Sequence, residues 1–417
     1  MPAEPIPTPV PAPTPPAESL SGSASAKSSS GSGSGSAKRM PLAVYILDLS
    51  VFALGTSEFM LTGLLPAIAD DMSVSIPQAG LLISAFAIGM VVGAPLLAVA
   101  TLRLPRRTTL IALITVFGLG QVAGALAPNY ALLFASRVVS ALACAGFWAV
   151  GAAVAIAMVP VNARARAMAV MIGGLSIANV LGVPLGALLG DGFGWRAAFW
   201  AVALISLPAL IGILRSVPSR TTGPATPGRI SIRPQLAVLL LLGALVNGAT
   251  FCSFTYLSPI LTEVTGLGAG WVPAMLALFG LGSFAGVTVA GRYADRRDRR
   301  LAFVAGGILL LGWIGFALTS AYVVPSVVLV LVQGALSFAV GSTLIAYALY
   351  AGSQYPVLTG GLATAALNVG AAAGPVLGGV AIGVSGFSGP LWVSAGLVAT
   401  ALLVAGSIKL VGREGPG

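Results

Sequence analysis

The sequence predicts an all-α membrane protein with twelve transmembrane helices in two pseudo-symmetric six-helix bundles. Three observations predict it. The 417 residues are 57% hydrophobic and only 8% charged, with 54 glycines, a balance that no water-soluble domain of this size carries on its surface. Apolar stretches long enough to cross hydrocarbon, about 20 residues each, recur twelve times along the chain. An arginine-rich turn also occurs once per half, as Arg103-Leu-Pro-Arg106-Arg107 and as Gly291-Arg-Tyr-Ala-Asp295-Arg296-Arg297-Asp298-Arg299-Arg300, with Arg103 and Arg296 standing 193 positions apart.

Taken in order, residues 1–39 are rich in Pro, Ala and Thr and then in Ser and Gly. Such a segment cannot bury enough apolar surface to fold, so it reads as a disordered cytoplasmic tail. The apolar stretch after it is too long for a signal-peptide core, and no cleavage is expected. The spans lie near 42–65, 77–100, 108–127, 130–158, 167–190 and 197–215 in a first bundle, residues 40–215. Those of the second bundle, 234–410, lie near 234–258, 271–291, 301–321, 324–350, 359–384 and 388–409. Residues 216–233 are the longest polar connection after the tail and read as a cytoplasmic linker, with 411–417 as a short cytoplasmic tail.

The net charge of +10 would point to nucleic acid in a soluble protein, but the placement of the 21 Lys and Arg says otherwise. With the N-terminus inside, all of them but Arg137 and Arg196 fall on the cytoplasmic side, while Asp70, Asp71, Asp191 and Glu263 fall at or near the outer face. That asymmetry is the positive-inside pattern. The basic charge reports topology, and the lipid bilayer, not nucleic acid, is the partner. Cys144 and Cys252 both lie inside predicted spans and read as small packed thiols. They make no disulfide framework or metal motif, and the absence of histidine excludes a His-based metal site or proton relay. No cofactor is expected.

A second landmark repeats with almost the same offset. Asn179-Val-Leu-Gly182-Val-Pro184-Leu-Gly186 in span five answers Asn368 and Gly374-Pro375-Val-Leu-Gly378-Gly379 in span eleven, the prolines being 191 positions apart. Two landmarks that keep one offset argue for duplication, the architecture of many secondary transporters.

These residues resemble the major facilitator superfamily, whose turn between spans two and three reads Gly-x-x-x-Asp-Arg-x-Gly-Arg-Lys/Arg. Gly291, Asp295, Arg296, Arg299 and Arg300 match it in the second half, with Asp298 in place of the inner glycine. Arg103, Arg106 and Arg107 match it in the first, where Leu102 replaces the aspartate and Pro105 the glycine. The resemblance implies a cytoplasmic gate at both turns, and neutralising Asp295 is expected to harm transport more than any change at residue 102. Gly182-x-Pro184-x-Gly186 looks like the motif of drug:proton antiporters, and Arg137 in Leu132-Leu-Phe-Ala-Ser-Arg137 resembles their span-four arginine. Gly55-Thr-Ser-Glu58-Phe-Met-Leu-Thr-Gly63-Leu-Leu-Pro66, the following Ala79-Gly-Leu-Leu-Ile-Ser-Ala-Phe86 and Gly194-Trp195-Arg196-Ala-Ala-Phe199-Trp200 resemble actinobacterial chloramphenicol-resistance exporters.

Apart from ring hydroxyls, the ionisable side chains expected at membrane depth are Asp48, Glu58 and Arg137. A charge near a helix centre costs roughly 2.5–3.5 kcal/mol, so such residues normally face a cavity or a partner. Glu58 and Arg137 each lie about seven residues from the outer end of their spans, so they are expected at one level, about 10 Å deep, coupled for proton transport or else forming a static ion pair. Asp48, roughly 15 Å nearer the cytoplasm, reads as an inward proton relay or as a side chain reaching the inner interface.

In the family, spans one, four, seven and ten line a central cavity. The resemblance therefore makes Phe52, Phe59, Thr62, Trp148, Asn247, Phe251, Phe254, Tyr256, Gln333 and Tyr347 the substrate shortlist, with Asn179 and Asn368 of spans five and eleven added. Aromatic walls with a few amides suit a flat, moderately apolar drug such as chloramphenicol. The chain carries no Gly-x-x-x-x-Gly-Lys-Ser/Thr loop, so ion-driven transport is expected, and not an enzyme. The expected protein is a monomeric proton-coupled drug exporter of the inner membrane with both termini cytoplasmic. A sugar or nucleoside exporter of the same fold and, more remotely, a non-transporting membrane sensor are the alternatives.

Overall fold

The computed structural model describes residues 40–100, 104–160, 163–218, 234–293, 299–352 and 356–411. The 1–39 tail, nearly all of the linker, residues 412–417 and, of the arginine turns, Arg103 and residues 294–298, Asp295 and Arg296 among them, lie outside the described residues. Met40–Gly417 forms one compact unit.

The described residues fold into helices. Eleven apolar runs among them are long enough to cross a membrane, the last of them 49 residues, Thr359–Ser407. At 1.5 Å per residue such a run would be far longer than a bilayer is thick. It is in fact two helices, Pro356–Ser385 and Gly389–Val411, turned back through a short 3-10 segment, Gly386–Ser388, and the spans number twelve. From Leu301 to Ile408 this half of the chain contains no Asp, Glu, Lys or Arg.

Local chemistry explains several boundaries. Span two starts at Ile76 with a reciprocal capping box, in which the Ser75 amide donates to Gln78 Oε1 at 2.9 Å and the Gln78 amide to Ser75 Oγ at 3.3 Å. Span four, Tyr130–Ala157, is capped by Asn129, whose Oδ1 accepts from the Leu132 amide at 2.9 Å. Gly194, at φ 82, makes the sharp corner between spans five and six that a residue with a Cβ rarely adopts.

Three spans are broken. Span one is two helices, Leu42–Phe59 and Leu61–Asp71, separated at Met60. Span seven breaks at Tyr256, where Pro259 cannot donate to the carbonyl four residues back. Span five changes from α-helix, Arg164–Ile177, to a π-helical turn, Ala178–Gly182, and resumes as α-helix at Val183 with Pro184 in its first turn. Pro375, the counterpart of Pro184, lies inside the continuous helix Pro356–Ser385.

Glycines set the packing within each half. A Cβ on Gly182 would strike the Thr56 side chain, and one on Gly186 would lie 3.1 Å from Met60 Cβ, so spans five and one meet along a smooth stripe. The same seam recurs 192 positions later, where a Cβ on Gly374 would lie 2.5 Å from the Gly248 carbonyl and one on Gly378 would lie 3.0 Å from the Cys252 carbonyl. Spans two and four meet at Gly89 and Gly93, and spans eight and ten at Gly282 and Gly286, both 193 positions on. Small residues let backbones approach where no hydrophobic drive separates helix from lipid. The duplication read from two motifs is therefore present as repeated contacts.

Alternation of the spans gathers Arg106, Arg107, Arg164, Arg166, Arg215, Arg292 and Arg300 at one end of the molecule, the arginine face. Asp71 and Arg196 mark the opposite face, and large apolar side chains such as Leu119, Leu311 and Leu403 stand exposed between the two, as hydrocarbon requires.

Candidate functional site

The turn of span one just before its break at Met60 carries the site. Arg137 of span four is fully buried and reaches across to it. Its guanidinium donates to Ser57 Oγ at 2.8 Å and to the Ser57 carbonyl at 2.9 Å, while its face stacks 4.4 Å from the Phe86 ring of span two. Cation-π contact and two directed hydrogen bonds replace hydration that a buried guanidinium has lost. The third edge, Nε, has no hydrogen-bond partner.

Glu58 follows Ser57 directly. It is half-buried, while its neighbours from Ala53 to Ser57 and from Phe59 to Thr62 are buried. The arginine lies at its level, as expected from depth. Among the described residues, however, the guanidinium's hydrogen bonds go to Ser57, and it makes no ion pair with Glu58. Asp48, three turns nearer the arginine face, is half-buried with its carboxylate against the Gly174 backbone of span five.

The shortlist divides by environment. Phe52, Trp148, Asn247 and Tyr347 are half-buried, and Asn247 Nδ2 donates to the Leu367 carbonyl at 2.7 Å. Phe59, Phe251 and Phe254 are buried in a ring cluster where span one meets span seven, with Phe59 centroids 5.9 and 6.5 Å from the other two, and Phe254 continuing the stack to Phe279 at 4.5 Å. Thr62, Tyr256 and Gln333 are buried at helix contacts, Tyr256 Oη donating to the Pro375 carbonyl at 2.7 Å and Gln333 Nε2 to the Leu309 carbonyl at 3.4 Å. Asn179 stands in the π-helical turn with its backbone against Gly280 of span eight, and Asn368 Nδ2 donates to the Thr364 carbonyl at 3.0 Å within its own helix.

The motif residues take structural positions. Gly182 and Gly186 form the span-one seam, with Pro184 buried between them. Arg107 donates to the Leu214 carbonyl near the end of span six, where a cation meets the negative end of the helix dipole. Arg106 is half-buried, whereas Gly291 is exposed with open space where a side chain would stand, and Arg299 and Arg300 begin span nine.

The sequence reading missed four partners, namely Ser57, Phe86, Ser84 and Gly80. Ser84 Oγ of span two donates to the Ala372 carbonyl of span eleven at 2.8 Å, joining the two halves. Ser57 sits inside a quoted motif, and the only available clue was adjacency to Glu58.

Twelve apolar spans in two repeated bundles, with Asp48, Glu58 and Arg137 inside the helices of the first, are the architecture of a multi-pass membrane transporter. The chain matches the family model described as Major Facilitator Superfamily over residues 47–360, and it belongs to that superfamily. It is 51% identical over 381 residues to the "Chloramphenicol resistance protein" of Streptomyces lividans, spanning 89% of this chain and 97% of that one. It is 37% identical over 342 residues to the "Inner membrane transport protein YdhP" of Escherichia coli (strain K12), spanning 81% and 87%. Among solved structures it resembles a bacterial homolog of the human lysosomal transporter Spinster in its inward-facing, occupied conformation, with TM-score 0.69 and 16% identity over 89% of this chain and 96% of that one. That likeness concerns the fold alone.

Proposed function

We propose that this protein is a proton-coupled exporter of chloramphenicol-like antibiotics, working by alternating access of its two bundles, residues 40–215 and 234–410. The substrate reading rests on the Streptomyces lividans relative. The coupling reading rests on one observation, the half-buried Glu58 carboxylate beside the fully buried Arg137. Glu58 takes a proton from the outer side, and Arg137, held by Ser57, supplies the fixed positive charge against which that carboxylate alternates. Asp48 stands further along the same span on the way inward. A proton moving inward gains about 2.3 kcal/mol per 100 mV, enough to drive a neutral drug uphill.

The arginine face is cytoplasmic in this reading, by the positive-inside pattern, and the protein lies in the inner membrane as a monomer. The halves meet toward the opposite face, through Ser84 and Ala372 and through Phe59 and Phe251. Drug then enters from the cytoplasm against the half-buried Phe52, Trp148, Asn247 and Tyr347, with the ring cluster above it as the ceiling.

The test is drug susceptibility of an efflux-deficient host expressing wild type, Glu58→Gln or Arg137→Ala at matched membrane levels, paired with drug-induced proton flux in vesicles. Wild type is expected to protect against chloramphenicol and to release protons on drug addition, and Glu58→Gln to lose both. No protection by well-inserted wild type would sink the substrate, and retained proton flux in Glu58→Gln would move the carrier elsewhere.

A further inference from the structure

Tyr256 interrupts span seven, and its position is not that of a cavity wall. Its backbone leaves the helical region at φ −103, ψ 17, and the side chain is wholly buried. The phenol lies between spans of both halves. On the side of its own half, Oη donates to the Pro375 carbonyl of span eleven at 2.7 Å, and the ring edge lies where a Cβ on Gly378 would come within 2.8 Å of it. On the other side is span two. A Cβ on Gly80 would collide with Tyr256 Oη and lie 2.8 Å from Cζ, while one on Gly379 would lie 2.9 Å from Oη and 3.1 Å from Pro77. The phenol tip therefore fits only because both facing positions lack a side chain.

We propose that Tyr256 is the bolt of the opposite-face gate and that Gly80, with Pro77 beside it, is its socket. The bolt is fixed to span eleven through Pro375 and travels with the second half, so the socket is the contact that separates when the halves part. Ser84, one turn further along span two, makes the accompanying hydrogen bond to Ala372. Closure at this face thus depends on a tyrosine entering a space that a single methyl group would fill. On its far side the phenol is held by the Pro375 bond and by the close approach of Gly378. A methyl at Gly80 must therefore be relieved by the halves moving apart, which shifts the population toward the form open at the opposite face and closed at the arginine face.

The inference rests on alternating access but on no particular substrate, and its test needs none. Full-length wild type, Gly80→Ala, Tyr256→Phe and the double variant are compared in lipid nanodiscs by hydrogen-exchange mass spectrometry. Gly80→Ala is expected to raise uptake several-fold in peptides covering 76–84 and 369–380, and to lower it in peptides covering the arginine-face helix starts at 106–112 and 164–172. Tyr256→Phe removes the atom in the worst collision, so adding it to Gly80→Ala is expected to bring both faces part of the way back. Opposite changes at the two faces are what a displaced gate produces, whereas a merely loosened fold raises uptake at both. Rises at both faces, no change at either, or additive effects of the two substitutions would each overturn the proposal. Failure to export chloramphenicol would leave these exchange patterns intact, so the two readings fail separately.

Discussion

Both hydrogen bonds of the Arg137 guanidinium land on one residue, Ser57, and its third edge is free. Such a fork needs a planar group with several fixed donors, which a lysine ammonium on a flexible stem does not offer. Arg137→Lys is therefore expected to insert normally yet to lose most drug protection at matched expression, with Ser57→Ala weaker in effect because the Ser57 carbonyl still accepts. At the opposite face, a hydrogen bond from Arg196 and a second from Trp195 Nε1 hold the Asp71 carboxyl below the usual aspartate range. A carboxyl depressed in the fold adds stability above its unfolded pKa of about 3.9, and that contribution drains away as pH falls below it. The ion pair is partly exposed, at 39% and 44%, so solvent screening keeps its contribution under about 1 kcal/mol. Melting of Asp71→Asn in detergent should match wild type near pH 3 and fall slightly below it at pH 6, the gap narrowing in high salt. At this scale the sequence disclosed which charges lie in the membrane, because charges there are rare. It did not disclose their partners, since a serine or phenylalanine beside an arginine looks like any other residue of an apolar helix.

Helices were legible as lengths and seams but not as shapes. The twelve apolar stretches and the Gly182 motif were visible in the sequence. The breaks at Met60 and Tyr256 and the π-helical turn were not, because prolines mark where a hydrogen bond is missing without saying how neighbours will absorb the loss. Pro184 follows a π turn, while Pro375 leaves its helix continuous. The two glycine seams differ in what they face. A methyl at Gly182 meets the rotatable Thr56 side chain, whereas one at Gly374 meets the Gly248 carbonyl and the Cys252 amide, which cannot turn aside. Overpacking typically costs about 1–3 kcal/mol. Gly374→Ala is expected toward the upper end of that range and Gly182→Ala toward the lower, a ranking that thermal melts of the two purified variants decide.

Across the whole molecule the charge is unevenly shared. Asp48, Glu58 and Arg137 all belong to the first bundle, and the second offers amides, hydroxyls and rings. If one bundle handles the proton and the other faces the drug, substitutions should divide the same way. Asn247→Ala and Tyr347→Ala are expected to change the ratio of resistance among several drugs by several-fold while leaving proton coupling intact, whereas Glu58→Gln lowers resistance to all of them together. Susceptibility ratios measured beside vesicle proton flux check this, and parallel losses across every drug in the Asn247 and Tyr347 variants would count against it.

The uncharged stretch from Leu301 to Ile408 has a further consequence, for biosynthesis. Membrane insertion orients helices chiefly by the lysines and arginines that flank them, yet four successive helices and their three connecting turns pass without a single such marker. Arg299 and Arg300 at one end and Lys409 and Arg413 at the other are the local signals on offer. The tight Gly386–Ser388 turn leaves the last two helices little choice but to enter lipid as a hairpin. The newborn chain must thus place about its last quarter largely by helix-to-helix fit, which gives the glycine seams a task during synthesis as well as in the finished protein.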